Sequence, residues 1–220
     1  AIRGSGLDPA ALEFIDPKQS ALLRDHAGVD LEECPTLFME FHAVLPEALE
    51  YGLVQVREIC EELGATRVKA TTDNAERTKL WTARHHAYEL LTRIHAGQKI
   101  YIDDVAVPIS QYPALIAFAE KAIDEAGIHA YMKGHAGDGN IHCEFPYSTE
   151  AEFAVISRIN NRIVQKAIAL GGTATGEHGV GMGKTQFMDE EHGASLDVMR
   201  AIKATLDPHG ILNPGKIFPQ

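Results

Sequence analysis

The residues best suited to chemistry lie in Lys133-Gly134-His135-Ala136-Gly137-Asp138-Gly139-Asn140-Ile141-His142, which sets one imidazole on each side of a tight turn. Gly137, Asp138, Gly139 and Asn140 favour sharp reversals and tolerate positive φ, and apolar runs flank them. The spacing predicts a hairpin over roughly 128–147 that holds His135 and His142 at its base, close enough to share one ion. A third donor is needed, and Glu177 and His178 are the candidates, in Thr173-Ala174-Thr175-Gly176-Glu177-His178-Gly179-Val180-Gly181-Met182-Gly183-Lys184. Two His and one carboxylate with open positions make a catalytic metal set, whereas structural sites are closed and thiolate-rich.

The glycines of that second segment invite a phosphate-binding reading, which the pattern refuses. A P-loop ending in Gly183-Lys184-Thr185 needs glycine where His178 stands, and a dinucleotide fingerprint opening at Gly179 needs a small residue where Lys184 stands. The glycines are read instead as letting the backbone run close to a ligand or a second domain. On a helix, Trp81 and Arg84 are three apart and share a face. The plain reading of that pair is a core Trp and a surface ion-pairing Arg. His85 and His86 are adjacent and point in different directions. His26, His42, His95, His129, His192 and His209 have no partner at ligand spacing and are read as structural.

These residues need elements to position them. An apolar-periodic start at 8–25, broken by Pro17, leads into the body as a short strand or helix. Strands are expected at 36–44, 65–72 and 99–107, and helices at 46–63, from Asp73-Asn74 through Tyr88, and at 110–126. Gly64 and Gly127 are the stops of the first and third of these helices. After the hairpin comes a long helix at 149–170, capped near Ser148-Thr149-Glu150, with Ile156, Ile159, Ile163, Ala167 and Leu170 on one stripe. A further helix falls near 194–206. The order β-α-β-α-β-α-β-β predicts α+β, with a mainly antiparallel sheet covered by helices, as in a ferredoxin-like domain or a duplication of one.

Composition narrows the partners. The 220 residues are 45% hydrophobic, enough to bury a sizeable core, and the formal net charge of -11 argues against nucleic acid or an anionic membrane as main partner. No apolar run approaches the roughly 20 residues that span a bilayer, and there is no secretory start. Cys34, Cys60 and Cys143 lack paired spacing and are read as reduced thiols acting as small core hydrophobes. The chain opens at Ala1, in the turn-like Arg3-Gly4-Ser5-Gly6, and is read as a piece of a longer protein or a processed product.

Taken together, Gly134 through His142, Gly176 through Lys184, and Asp207-Pro208 through Ile211-Leu212-Asn213-Pro214-Gly215-Lys216 resemble the C-terminal half of FAD-linked oxidases of the vanillyl-alcohol-oxidase type. Within that superfamily, Leu80-Trp81-Thr82-Ala83-Arg84-His85-His86-Ala87 and Asp104-Val105-Ala106-Val107-Pro108-Ile109-Ser110 are most similar to the FAD-dependent, cytochrome-linked D-lactate dehydrogenases.

The resemblance implies that residues 1–220 form a substrate, or cap, domain that closes over an FAD held mainly by a separate N-terminal domain, toward which the 207–220 tail packs. It implies a divalent metal, Zn or Mn, on His135, His142 and Glu177. It places His178 beside the reacting carbon of the substrate as proton acceptor, puts Arg84 on the substrate carboxylate, and leaves Asn213 and Lys216 edge contacts to the cofactor. Related D-2-hydroxyglutarate enzymes have Asn two residues after the second hairpin His. Glu144 stands there in this chain, which favours a short acid such as D-lactate over a dicarboxylate.

Glycolate and D-2-hydroxyglutarate are the rival substrates, and a flavin-free His/His/Glu metal module or hydrolase is the rival class. Against a hydrolase, no carboxylate with an obvious general-base role accompanies the metal set. A non-enzymatic interaction domain would leave the clustered His and Glu unexplained. The resemblance also implies an electron acceptor, a cytochrome or quinone, and a cytoplasmic or mitochondrial location, soluble or peripheral to a membrane.

Overall fold

The computed structural model describes residues 1–218, and the chain divides into two compact units, Ala1–Ala96 and a second that begins at Gly97. In the first unit, β1 (Ala11–Ile15) pairs antiparallel with β2 (Thr36–Glu40), and α1 (Pro17–Ala27) connects them. Pro17, expected to break the run, begins a helix instead. Proline has no N–H to lose at the first helical position, and the Asp16 carboxylate accepts the Gln19 N–H at 2.7 Å.

The next element is α2 (Pro46–Glu62), followed by Gly64 in the left-handed region at φ 89°. The strand expected at 65–72 does not form. That stretch has the β-branched residues of a strand but no ladder partner, and most of it is exposed. It is tied by side chains instead: Arg57 donates to the Val68 carbonyl, and Arg67 and Lys69 pair with Asp30.

One helix was expected to carry Trp81 to Tyr88, and two are found. The first, α3 (Asn74–His85), is capped by the Asp73 carboxylate on the Glu76 N–H at 2.8 Å, and α4 (Ala87–Ile94) follows after a break at His86. Leu23, Ala87 and Leu91 are fully buried in this unit.

The second unit runs β3 (Lys99–Ala106), α5 (Tyr112–Ala126), β4 (Tyr131–Gly134), β5 (Asn140–Tyr147) and α6 (Glu150–Ala169). It ends with α7 (Met188–His192) and α8 (Ser195–Leu206). β5 pairs antiparallel with both β3 and β4, so the local strand order is β4-β5-β3. On the free side of β3, Thr173 makes a single antiparallel bridge to Ala106. This is the β-α-β-β-α-β path of a ferredoxin-like domain, its last strand shortened to one bridge.

The expected capping box is present at the start of α6, where Thr149 and Glu152 satisfy each other's backbone. α5 and α6 pack together, and their Leu115, Ala119, Ile156, Ile159, Ile163 and Ala167 are buried with Val105, Ile141, Cys143 and Phe145 of the strands. Alternate strand positions point to opposite faces. While Ile141, Cys143 and Phe145 enter this core, Asn140, His142 and Glu144 therefore face the other way. The α+β class and antiparallel pairing agree with the sequence. Among the described residues, no helix is long and apolar enough to cross a membrane.

Candidate metal centre

The hairpin forms as its spacing predicts. The Asp138 N–H donates to the His135 carbonyl at 2.9 Å, closing the reversal, and Lys133 lies opposite His142 in the ladder. Gly139, at φ 78°, is required twice over: its carbonyl accepts the Val107 N–H, and a Cβ there would lie 1.9 Å from the Val107 oxygen.

His135 leaves the end of β4, His142 stands on β5, and Glu177 arrives from the loop that follows the Thr173 bridge. Their ligand atoms lie within 4.8 Å of one another. Glu177 Oε1 is 2.9 Å from His142 Nε2 and 3.6 Å from His135 Nε2. Ligand atoms bonded to one ion at about 2.1 Å stand roughly 3.0–3.4 Å apart, so the three residues need only small adjustments to share a metal.

His178, the other candidate, stacks on His142 with ring centroids 4.9 Å apart and an interplanar angle of 12°. Its Nε2 is 3.7 Å from Glu177 Oε1. All four residues thus meet around one carboxylate oxygen. Three of them, His135, Glu177 and His178, have side chains 36–49% exposed, whereas the His142 side chain is 6% exposed. The cluster is buried on its sheet side and open on the other.

Electrostatics suit a cation. Burial holds the His142 imidazole down at about 4, against the pull of Asp104 and Glu177, so at neutral pH it is an uncharged ligand. Its Nδ1 is buried without a hydrogen-bond partner and lies 3.6 Å from Asp104 Oδ1. A neutral His with its second nitrogen near a carboxylate, beside another His and a Glu, is a donor set that fits Zn or Mn.

Asp104, His142 and His178 form a second group at ligand spacing. Asp104, however, is buried and already accepts four donors. These are the Asn140 amide at 2.7 Å, the Glu177 and His178 N–H groups at 2.9 Å each, and the Thr175 hydroxyl at 3.2 Å. Burial pushes its carboxyl up, yet the His178, Glu177 and Asn140 donors outweigh this and hold it below the usual range. A carboxylate so occupied is a poor ligand, and the His135/His142/Glu177 set, two of whose members are half-exposed, is the better one.

The same bonds explain why the glycine-rich segment is no phosphate loop. Two backbone N–H groups at its start, those of Glu177 and His178, are turned inward onto Asp104. Lys184, which a P-loop would aim at phosphate, is buried and bonds Asp103 Oδ1 at 2.6 Å. The Asn160 amide, turned with its nitrogen toward Asp103, donates to the same oxygen at 2.8 Å.

Arg84 lies in the first unit, on α3. It is buried, and its Nη2 pairs with Glu13 of β1 while its Nε has no hydrogen-bond partner. It is an ion-pairing residue as the plain reading had it, but an interior one. Trp81 is half-buried, with its ring edge-on to Phe38 and stacked on His85. Asn213 is exposed at φ 48°, and Lys216 is half-buried beside Ile217, whose N–H donates to the Gly181 carbonyl at 2.8 Å. The tail begins in a turn on Asp207, which accepts the Ile211 and Leu212 N–H groups. Residues 219 and 220 lie outside the described residues. Glu144 is buried and paired with Lys133 Nζ at 2.6 Å.

Two residues of this centre had no assigned role in the sequence, Asp104 and Asn140. The signal for Asp104 was two successive carboxylates, Asp103-Asp104, inside an otherwise apolar strand. For Asn140 there was none beyond its place in the turn.

An α+β domain with a His/His/Glu centre beside a carboxylate-bound loop is thus defined, and comparison places it. Residues 1–217 match the family of FAD linked oxidases, C-terminal domain, and the chain belongs to that family. A probable mitochondrial D-lactate dehydrogenase of Danio rerio is 34% identical over 218 residues, covering 97% of this chain and 44% of the relative. The glycolate oxidase subunit GlcD of Bacillus subtilis is 32% identical over 214 residues, covering 96% of this chain and 45% of the relative. The chain spans less than half the length of these relatives. Among solved structures, the 4-ethylphenol oxidase of Gulosibacter chungangensis superposes with a TM-score of 0.62 at 13% identity, over 96% of this chain and 48% of that one. That likeness is one of fold.

Proposed function

We propose that this chain is the substrate- and metal-binding part of an FAD-dependent D-2-hydroxyacid dehydrogenase that oxidises D-lactate to pyruvate. The observation that carries the reading is the meeting of His135, His142, Glu177 and His178 around one point that is open on one side. Family membership and the names of the relatives support flavin chemistry.

His135, His142 and Glu177 would hold the divalent ion, which when bound supplies positive charge to polarise a hydroxyl oxygen. Asn213 and Lys216 would sit at the edge of a flavin held mainly by a separate domain, which when bound would supply hydride acceptance. A cytochrome or quinone would then reoxidise it.

The chain's own residues do the rest. The half-exposed His178 imidazole is held flat against His142, and its ring nitrogen accepts the hydroxyl proton. Arg84 is assigned the substrate carboxylate for its planar guanidinium, which in this structure is buried and paired with Glu13. The Lys133–Glu144 pair is self-neutralising, and with no spare cation at that position a short monocarboxylate is favoured over a dicarboxylate.

The experiment is anaerobic reduction of the flavin-loaded protein by D-lactate, glycolate and D-2-hydroxyglutarate, with and without chelator. Fastest reduction by D-lactate, abolished by chelator and restored by Zn or Mn, is expected. Chelator-insensitive reduction would remove the metal from the reading, and preference for D-2-hydroxyglutarate would overturn the substrate.

A further inference from the structure

The loop that carries Glu177 and His178 has no regular hydrogen bonding of its own, yet it delivers two functional side chains to the centre. Ala174 donates to Glu191, and the three donors that follow, from Thr175, Glu177 and His178, all end on one other carboxylate. Asp104 stands opposite His142 in the β3–β5 ladder, on the same face of the strands. Its Oδ2 accepts the Thr175 hydroxyl and the Glu177 and His178 N–H groups, while its Oδ1 accepts the Asn140 amide and lies 3.6 Å from His142 Nδ1.

A second observation shows how closely the loop is wound on this anion. At Gly176 a Cβ would lie 2.0 Å from Asn140 Nδ2 and 2.7 Å from Asp104 Oδ1, so no larger residue fits between the loop and the strand. Consecutive N–H groups converging on an internal carboxylate are the arrangement that elsewhere binds an external anion.

Building on the metal-centre reading above, we propose that Asp104 is the positioning residue of the site, an internal anion around which residues 175–178 are wound. It sets Glu177 and His178 in place and faces the rear nitrogen of His142 while touching neither metal nor substrate. Outer carboxylates that orient ligating side chains change metal affinity by about 10- to 100-fold when altered.

The test is a Zn²⁺ titration of the chelator-stripped, flavin-loaded protein, together with hydrogen exchange across residues 173–184 in the metal-free state. Asp104→Asn, which keeps the shape but removes the charge, should weaken Zn²⁺ binding by about 10- to 100-fold. Faster exchange should appear at Glu177 and His178 alone, with unfolding of the rest unchanged. Gly176→Ala alters no charge and no ligand, and should weaken Zn²⁺ binding in the same direction by pushing the loop off the carboxylate. It also serves if Asp104→Asn fails to fold.

His135→Ala separates the two levels of the argument. If it weakens Zn²⁺ binding while Asp104→Asn and Gly176→Ala do not, the positioning role is wrong and the metal centre stands. If Asp104→Asn abolishes Zn²⁺ binding and His135→Ala leaves it intact, Asp104 is itself a ligand, and both readings are overturned. Zn²⁺ binding untouched by all three variants would remove the metal centre.

Discussion

Two stretches without regular secondary structure, residues 65–72 and 173–184, are fixed in opposite ways. The first is held by exposed ion pairs, Arg67 and Lys69 on Asp30 and Lys69 on Glu76. The second is wound on buried carboxylates, its near end on Asp104 and its far end, through Lys184, on Asp103. Exposed pairs contribute little, because water and salt screen them and two long side chains must be ordered. Buried charges that lose their partners are costly to leave. Irregular backbone can therefore be as fixed as a strand when its polar groups end on buried partners. Only the second stretch can hold catalytic groups in place.

The sharpest way to break the comparison is through what the second stretch presents. His178→Ala in the flavin-loaded protein should slow flavin reduction by D-lactate about 10²–10⁴-fold, the range for loss of a general base. The bound metal should be retained. A normal reduction rate would reduce residues 173–184 to scaffold.

Next comes the holding itself. Lys184→Met strands the Asp103 carboxylate, whose pKa burial already raises against the Lys184 charge. It should cost about 3–5 kcal/mol in denaturant unfolding, as expected when one member of a buried pair is removed. Arg67→Ala should cost no more than about 1 kcal/mol. Equal losses would erase the distinction between the two stretches.

On the proposed reading the substrate carboxylate is bound by Arg84, which is paired with Glu13 in the interior of the first unit. Arg84→Lys keeps the charge but not the planar fork, and loss of one such contact is worth about 1.5–3 kcal/mol. The Michaelis constant for D-lactate should rise roughly ten-fold or more. An unchanged constant would make the Glu13 pair the whole role of Arg84.

A pH series sharpens the comparison further. Burial lowers the His142 pKa from 6.5 to about 4 in the folded chain, so between these values the unfolded chain binds a proton that the folded chain refuses. The His142 contribution to the stability of metal-free protein should be constant above pH ~6.5, be lost as pH drops toward ~4, and change no further below that, where depressed carboxyls such as Asp104 take over. His142→Phe should flatten this window. A metal-free protein whose stability is level from pH 7 to 4 would show that His142 titrates normally.

How much of this was legible follows from where the information sits. The hairpin and its two histidines could be read because a glycine-rich turn fixes register and strand side chains repeat every two residues. The ends of α2 and α5 and the capping box of α6 could be read because caps are local chemistry. The strand expected at 65–72 failed because β-propensity needs a neighbouring strand, which eight residues do not reveal. The break at His86 was hidden because no Gly or Pro marks it.

Asp104 was hidden for a different reason. Its partners are 36 to 74 residues away in sequence, so nothing local marks it. Even the successive Asp103-Asp104 only hinted that both faces of β3 carry a buried carboxylate. Choosing between Glu177 and His178 as third ligand was also beyond spacing alone, and the structure brings both to the same point.

The most direct measurement is the metal content of the flavin-loaded protein and of two variants, Glu177→Ala and His178→Ala, read by elemental analysis after identical purification. About one Zn or Mn per chain in the parent and in His178→Ala, with loss of that ion in Glu177→Ala, is the result the His135/His142/Glu177 centre requires. Retention of the ion in Glu177→Ala together with its loss in His178→Ala would exchange the two roles. A parent protein that reduces its flavin with D-lactate while holding no metal would contradict the centre altogether.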